Sequence, residues 1–215
     1  MIAGLLLWED LEPRAAPEQM AVDEALFSCA RSPVVRFYRW ASPAVTFGYA
    51  QRYSEVLPRA GGLPLIRRWT GGGTVFHGED LTIAISVPEP HPLCRQQTGA
   101  IYQQIHSAIF RVVKKEVPGA MLATPEDCRP GPACFQSPAW NDILDGGRKI
   151  CGGALRRGKA GLLYQGSLHG SFSVRALAHA LSASAGSFVP DDEVQAAAAR
   201  LESTRYGTAE WNQSR

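Results

Sequence analysis

LPLIRRWTGGGTVFHGEDLTIAISV, residues 63–87, runs from apolar residues into two arginines, breaks at three consecutive glycines, and passes a histidine into a second apolar run. LPLIRRW (63–69) and LTIAISV (81–87) each read as a strand, so the glycines form a strand-to-strand loop and do not open a helix. The G-x-x-x-x-G-K-[ST] and G-x-G-x-x-G phosphate cradles are both absent. Two readings of Gly71, Gly72 and Gly73 remain: a wide turn, or a bare main chain whose N–H groups let a ligand oxyanion or phosphate approach. Arg67 and Arg68 point to opposite faces of a continuing strand, so at most one faces such a ligand. The other is expected to be a solvated or paired surface arginine. His77 lies just beyond the loop, within reach of a ligand, although a structural role is the default for a lone histidine.

Working outward, PEQMAVDEALFSCAR (17–31) has Pro17 at a first helical position and a stripe of Val22, Ala25, Leu26 and Cys29, the pattern of a helix on a core. VVRFYRW (34–40) and AVTFGYA (44–50) read as strands joined by a turn at Ser42-Pro43. Thr98 is the expected cap of a helix carrying Ile101, Ile105, Ile109 and Val112 on one face, with Lys114 and Lys115 at its C-terminal end. NDILDGGRKICGG (141–153) reads as a hairpin turning at Asp145-Gly146-Gly147, GLLYQGSL (161–168) as a strand, and 174–183 and 190–202 as helices. Strands and helices do not alternate regularly. The expected class is α+β, a mixed β-sheet with packed helices and not a doubly wound fold.

At 215 residues and 45% hydrophobic content the chain can bury a substantial core as one globular domain spanning 1–215. Its 22 Lys and Arg against 20 Asp and Glu give a charge of +2, too balanced to signal nucleic acid, and no apolar run has membrane-spanning length. MIAGLLLWEDLEP has no basic residue before its apolar run and resembles a first strand more than a signal peptide. Five cysteines without a C-x-x-C pair support neither a disulfide framework nor a structural metal. A cytoplasmic protein with free thiols and no metal site is the expectation.

The second informative stretch is PACFQSPAWNDILDGGRKICGGALRR, residues 132–157. Lys149 sits beside Gly152 and Gly153, either as an ordinary solvated charge or reaching across a backbone left bare for a ligand. Arg148, Arg156, Arg157 and Lys159 form a local basic patch or a solvated face. Cys134, in a Pro-bounded loop, is either a small buried hydrophobe or a nucleophile.

PEQMAVDEALF, RFYRWASPAVTFGYAQ, RRWTGGGTVFHGEDLTIAISVPEPHP and NDILDGGRKICGGALRR together resemble, in order, the lipoate-protein ligase and octanoyltransferase family. The resemblance implies a fold akin to the biotin-ligase and class II aminoacyl-tRNA synthetase catalytic domain and a role in protein lipoylation. It implies that Arg68, Gly71, Gly72, Gly73 and His77 line the acyl site, with Gly152 beside it, and that Lys149 grips the activated carboxyl group.

The family contains two chemistries. A lysine with pKa about 10.4 is less than roughly 0.1% neutral near pH 7, so the acyl group must arrive activated. Ligases activate lipoate with ATP and Mg²⁺ as an adenylate. Transferases pass an octanoyl group from acyl carrier protein through a cysteine to a lipoyl domain or glycine-cleavage H protein, with no cofactor. ACFQSPAWNDIL resembles the Cys-Phe-x-x-Pro-Ser-Trp segment of the cysteine-dependent transferases and maps the nucleophile onto Cys134. Gly73, where those transferases often carry arginine, leans toward the ligase loop. Gly78 stands where aspartate is common, Gln165 stands where histidine is frequent, and His169 is nearby but shifted. With the sequence ending at Arg215, no accessory C-terminal domain is expected, which favours transfer, although some ligases keep that domain on a separate chain. A non-catalytic acyl-binding domain would need neither Cys134 nor Lys149. A biotin ligase would carry a Gly-Arg-Gly-Arg loop, and a nucleic-acid module an aromatic platform; both are absent.

Overall fold

A computed structural model describes residues 2–128 and 138–214, apart from the side chain of Leu11. Cys134 lies outside the described residues. The strands are β1 (Leu6–Arg14), β2 (Val34–Trp40), β3 (Ala44–Phe47), β4 (Leu65–Arg67), β5 (Val75–His77), β6 (Leu81–Pro88), β7 (Met121–Leu122), β8 (Ile143–Asp145), β9 (Arg148–Gly158), β10 (Gly161–Leu168) and β11 (Gly186–Ser187). The α-helices are α1 (Ala16–Cys29), α2 (Tyr53–Val56), α3 (Thr98–Glu116), α4 (Val174–Leu181), α5 (Asp192–Leu201) and α6 (Ala209–Asn212). A large mixed sheet has the order β11-β1-β2-β6-β10-β9-β8-β7, and a small one β4-β3-β5.

Both faces of the large sheet are buried. Val35 and Phe37 of β2, with Ile83 and Ile85 of β6, join the cluster that includes Ile101, Ile105 and Ile109 of α3 and Leu177 of α4. The alternate residues Tyr38 and Ala84 pack with Met20 and Ala21 of α1. The same alternation puts Arg36 on the α1 face, where it is fully buried. Its charge is met by Asp10 at 2.6 Å and Asp23 at 2.7 Å. Removing the guanidinium would strip the fully buried Asp23 of the cation that meets its charge, a loss of roughly 3–5 kcal/mol.

Three expectations change. α1 is buried nearly all round, from Ala16 through Phe27, because the sheet lies on one side and α5 on another; the four-residue stripe was too narrow. β2 and β3 are consecutive but belong to different sheets, so the Ser42-Pro43 corner carries the chain from one sheet to the other. The segment between β4 and β6 is more than a loop, since β5 forms within it and pairs antiparallel with β3. The Asp145-Gly146-Gly147 turn is as read: Gly146 and Gly147 have φ of 55° and 78°, and Asp145 pairs with Arg148. Among the described residues no helix is long and apolar enough to cross a membrane.

Candidate active site

Between the two sheets lies a slot holding about 410 Å³ of atom-free space, its open mouth included. The large sheet contributes Tyr38, Trp40, Thr82 and the backbones of Gly152, Gly153 and Gly166, the small sheet Thr46, Val75 and His77, and α1 Met20. Ala154, Gln165, Ser167 and Arg68 complete the lining. Mostly apolar walls with a few convergent polar groups are the usual make-up of a small-molecule site.

One flank is a continuous polar chain. The Arg68 guanidinium donates to Thr46 Oγ1 at 2.8 Å and, through its other terminal nitrogen, to the carbonyls of Gly71 (3.0 Å) and Gly73 (2.7 Å). Thr46 Oγ1 lies 2.7 Å from His77 Nε2, and His77 Nδ1 lies 2.9 Å from Asp80 Oδ2. Ser167 and Thr82 hydroxyls donate to the same carboxylate at 2.6 and 3.2 Å, and the Gly78 N–H donates to its other oxygen at 3.0 Å. The His77 ring is stacked on Trp40, with centroids 4.0 Å apart. Burial lowers the His77 imidazole from its ordinary value despite Asp80, and Arg68 and His169 push the same way, so the neutral form prevails. Burial alone would raise Asp80, but the donors from His77, Ser167 and Gly78 override it and hold the carboxyl below the usual range.

Behind the slot, Gln165 donates to Asp23 Oδ2 at 2.7 Å and accepts the Thr70 hydroxyl at 2.7 Å. It therefore ties the buried Arg36 network to the residue that starts the glycine loop. Burial raises the Asp23 carboxyl, opposed by Arg36 and by the Gln165 and Tyr38 hydrogen bonds.

At the β8–β9 edge, Lys149 is 3% exposed with its ammonium 2.7 Å from Asp142. Pairing runs from Ile143–Cys151 to Leu144–Lys149, so β9 carries one extra residue at Ile150. This bulge re-aims Lys149. A Cβ on Gly152 would stand 2.0 Å from Lys149 Cε, so Gly152 is bare where the lysine side chain crosses it. Asp142 also accepts the Tyr102 hydroxyl and the Ala139 N–H, and the Tyr102 oxygen in turn accepts the Gly153 N–H at 3.0 Å.

Of the residues singled out from the sequence, Arg68, His77 and Gly152 line the slot. Gly71, Gly72 and Gly73 lie beside it, held through Arg68, and do not wall it. Lys149 is placed on Gly152, next to the lining. Arg67 corrects the expectation of a surface arginine: it is fully buried and donates to the carbonyls of Tyr49, Gln51, Trp211 and Asn212, pinning the C-terminal helix α6 to β4. Of the basic patch, Arg148 and Lys159 are exposed, as on a solvated face, and the other two members are engaged locally. Arg156 lies over Trp69 at 4.0 Å and bonds its carbonyl, while Arg157 bonds the Cys94 carbonyl. Sequence reasoning noted Gly78 in place of aspartate but missed that Asp80, three residues after His77, supplies the carboxylate. Thr46, Ser167 and Asp142 were also missed. Isolated hydroxyls and a carboxylate inside strand-like text carry no sequence signal, and Asp80 alone is detectable, as an i, i+3 partner across a turn.

The model of the lipoyl protein ligase A/B catalytic domain matches residues 15–204. The chain belongs to this family. Octanoyltransferase LipM of Macrococcus caseolyticus is 34% identical over 172 residues, covering 72% of this chain and 62% of that protein. The chain thus spans a little over three fifths of that relative's length. In solved structures, lipoate-protein ligase A bound with ATP superposes with a TM-score of 0.74 at 21% identity, covering 99% of both chains. A structure of a bi-partite lipoate protein ligase and its E2 lipoyl domain from Thermoplasma acidophilum gives 0.72 at 21% identity, covering 99% of this chain and 97% of that one. The fold is that of the lipoate-ligase catalytic domain, mixed sheets with packed helices.

Proposed function

We propose that this chain is an acyltransferase of protein lipoylation, moving an octanoyl or lipoyl group from acyl carrier protein through a Cys134 thioester to a lysine of a lipoyl domain or glycine-cleavage H protein. The observation that carries the reading is that the family match, residues 15–204, takes in every residue lining the slot, in a chain 34% identical to a protein named octanoyltransferase. The apolar walls suit an alkyl chain, each buried methylene contributing about 0.8 kcal/mol.

In the first step the Cys134 thiolate attacks the acyl carbonyl, the carbon–sulfur bond to the carrier breaks, and the carrier thiolate leaves and takes up a proton. In the second, a neutral acceptor amine attacks the enzyme thioester, its carbon–sulfur bond breaks, and the amine nitrogen gives up its proton. Negative charge builds on the carbonyl oxygen both times. Lys149, its ammonium held by Asp142 and its side chain laid across Gly152 at the edge of the slot, is the cation assigned to meet that charge. Because the acyl group arrives as a thioester, no cofactor is needed. The four described cysteines are free thiols, in keeping with a reducing, cytoplasmic setting.

The test is acylation of a purified lipoyl domain. Transfer from octanoyl-acyl carrier protein without ATP is the expected result. Acylation only from free octanoate or lipoate with ATP and Mg²⁺ would overturn the proposal in favour of a ligase.

A further inference from the structure

Thr46 has one hydroxyl proton and two neighbours. Arg68 can only donate, so the Thr46 oxygen accepts there at 2.8 Å and its proton is left for His77 Nε2 at 2.7 Å. His77 must then carry its own proton on Nδ1, where the Asp80 carboxylate accepts it at 2.9 Å. The neutral Nδ1–H tautomer satisfies every group in the chain. A proton added at Nε2 would oblige one hydroxyl oxygen to accept from two cations.

Thr46 is fully buried, Asp80 1% exposed, Arg68 6% and His77 8%, so each of these bonds forms away from water, where a broken one is costly. At its far end the guanidinium holds the carbonyls of Gly71 and Gly73. In a trans peptide the N–H points opposite to the carbonyl, so the N–H groups of Gly72 and Thr74 face away from Arg68.

We propose that His77 is a positioning residue: through Thr46 it fixes the Arg68 guanidinium on the Gly71 and Gly73 carbonyls and so sets the direction of the Gly72 and Thr74 amides. The relay starts at a carboxylate bonded to the large sheet through Thr82 and Ser167, and ends on a loop that borders the slot. It locks one sheet to the other along that flank. That the locked loop serves an acyl donor rests on the acyltransferase reading; the locking itself does not.

The experiment compares Thr46→Val, which keeps the shape and removes the hydroxyl, with Thr46→Ser, which restores it. Hydrogen exchange of the 69–74 segment is read against β6 and β10 as references, alongside KM and kcat with octanoyl-acyl carrier protein. Losing one net hydrogen bond predicts exchange about 2–10-fold faster in the loop for the valine variant. The references should be unchanged and the serine variant should return toward wild type. KM should rise by more than kcat falls. Unchanged loop exchange, or acceleration spread equally over the references, overturns the relay. Faster loop exchange with unaltered KM sustains the relay and counts instead against the acyl-donor role of the loop.

Discussion

Alanine at Gly48 is expected to be the most disruptive single methyl group in the glycine loop region, although Gly48 lies outside the glycine run. A Cβ there would stand 1.9 Å from the Gly72 carbonyl oxygen and 2.9 Å from its carbon. Since real Cβ contacts essentially never fall under 3.0 Å, the loop would have to retreat by at least 3.0 minus 1.9, or 1.1 Å. The obstacle is backbone, and that backbone is held: Arg68 grips the carbonyls on either side, and Tyr49 N–H bonds the Thr70 carbonyl at 2.9 Å. Overpacking of this kind costs about 1–3 kcal/mol, which lowers Tm by roughly 2–12 °C in a chain of this size. Gly72→Ala meets a different barrier, a φ of +83° that costs an L-residue about 1–2 kcal/mol. Gly71→Ala meets neither, because its Cβ would point into open space. The three variants should therefore rank Gly48, then Gly72, then Gly71 in lost stability, with Gly71→Ala within about 0.5 kcal/mol of wild type. Thermal unfolding and acyl-donor KM measured together check this ranking. A Gly48→Ala protein that melts and turns over like wild type would refute the packing argument.

Lys149→Met should reduce transfer by about 10²–10³-fold and also destabilise the protein, because Asp142 loses its buried partner. Adding Asp142→Asn should restore much of the Tm but not the turnover, and recovery of both would remove Lys149 from the chemistry. Octanoyl-acyl carrier protein without acceptor should leave a hydroxylamine-labile adduct on Cys134, mapped by peptide mass spectrometry. Cys151 should stay unmodified, because its full burial pushes that thiol far up and out of its reactive form. Burial, with the charge of Lys149 second, lowers His106 to about 3 from the ordinary histidine value of about 6.5. Below pH 6.5 the unfolded chain takes up a proton that the folded one refuses until about pH 3. Stability should therefore fall as pH falls through that window, by up to about 1.4 kcal/mol per unit, and denaturant titrations of His106→Gln should show a shallower slope.

How far the sequence could be read depended on whether the signal was local. β2 and β10 were located to the residue, because each is a run of β-formers between turn residues. The glycine loop and the Lys149 segment drew attention because bare backbone beside charge is unusual in strand text. What stayed hidden was long-range. Nothing near Arg67 announces four carbonyls from two distant segments, and nothing in VVRFYRW announces that Arg36 faces two carboxylates from β1 and α1. The division of β2 and β3 between two sheets leaves no local trace either. Yet it creates the slot, by opening a gap where a hairpin would have closed one. Cys134, the residue on which the family resemblance bears most directly, lies outside the described residues.

The floor of the slot is one peptide layer thick. Gly153 and Gly166 are paired across β9 and β10, and a Cβ on either would run into the Tyr164 side chain, at 2.5 Å from the ring and 2.3 Å from the hydroxyl oxygen. That ring lies on the opposite side of the sheet, among the α3 cluster, with its hydroxyl 2.9 Å from His106. A larger residue in the floor would thus grow into the core and leave the slot no shallower. On the acyltransferase reading, the length of chain the slot takes is therefore set not by these two glycines but by side chains that line it, such as Met20, Val75 and Ala154.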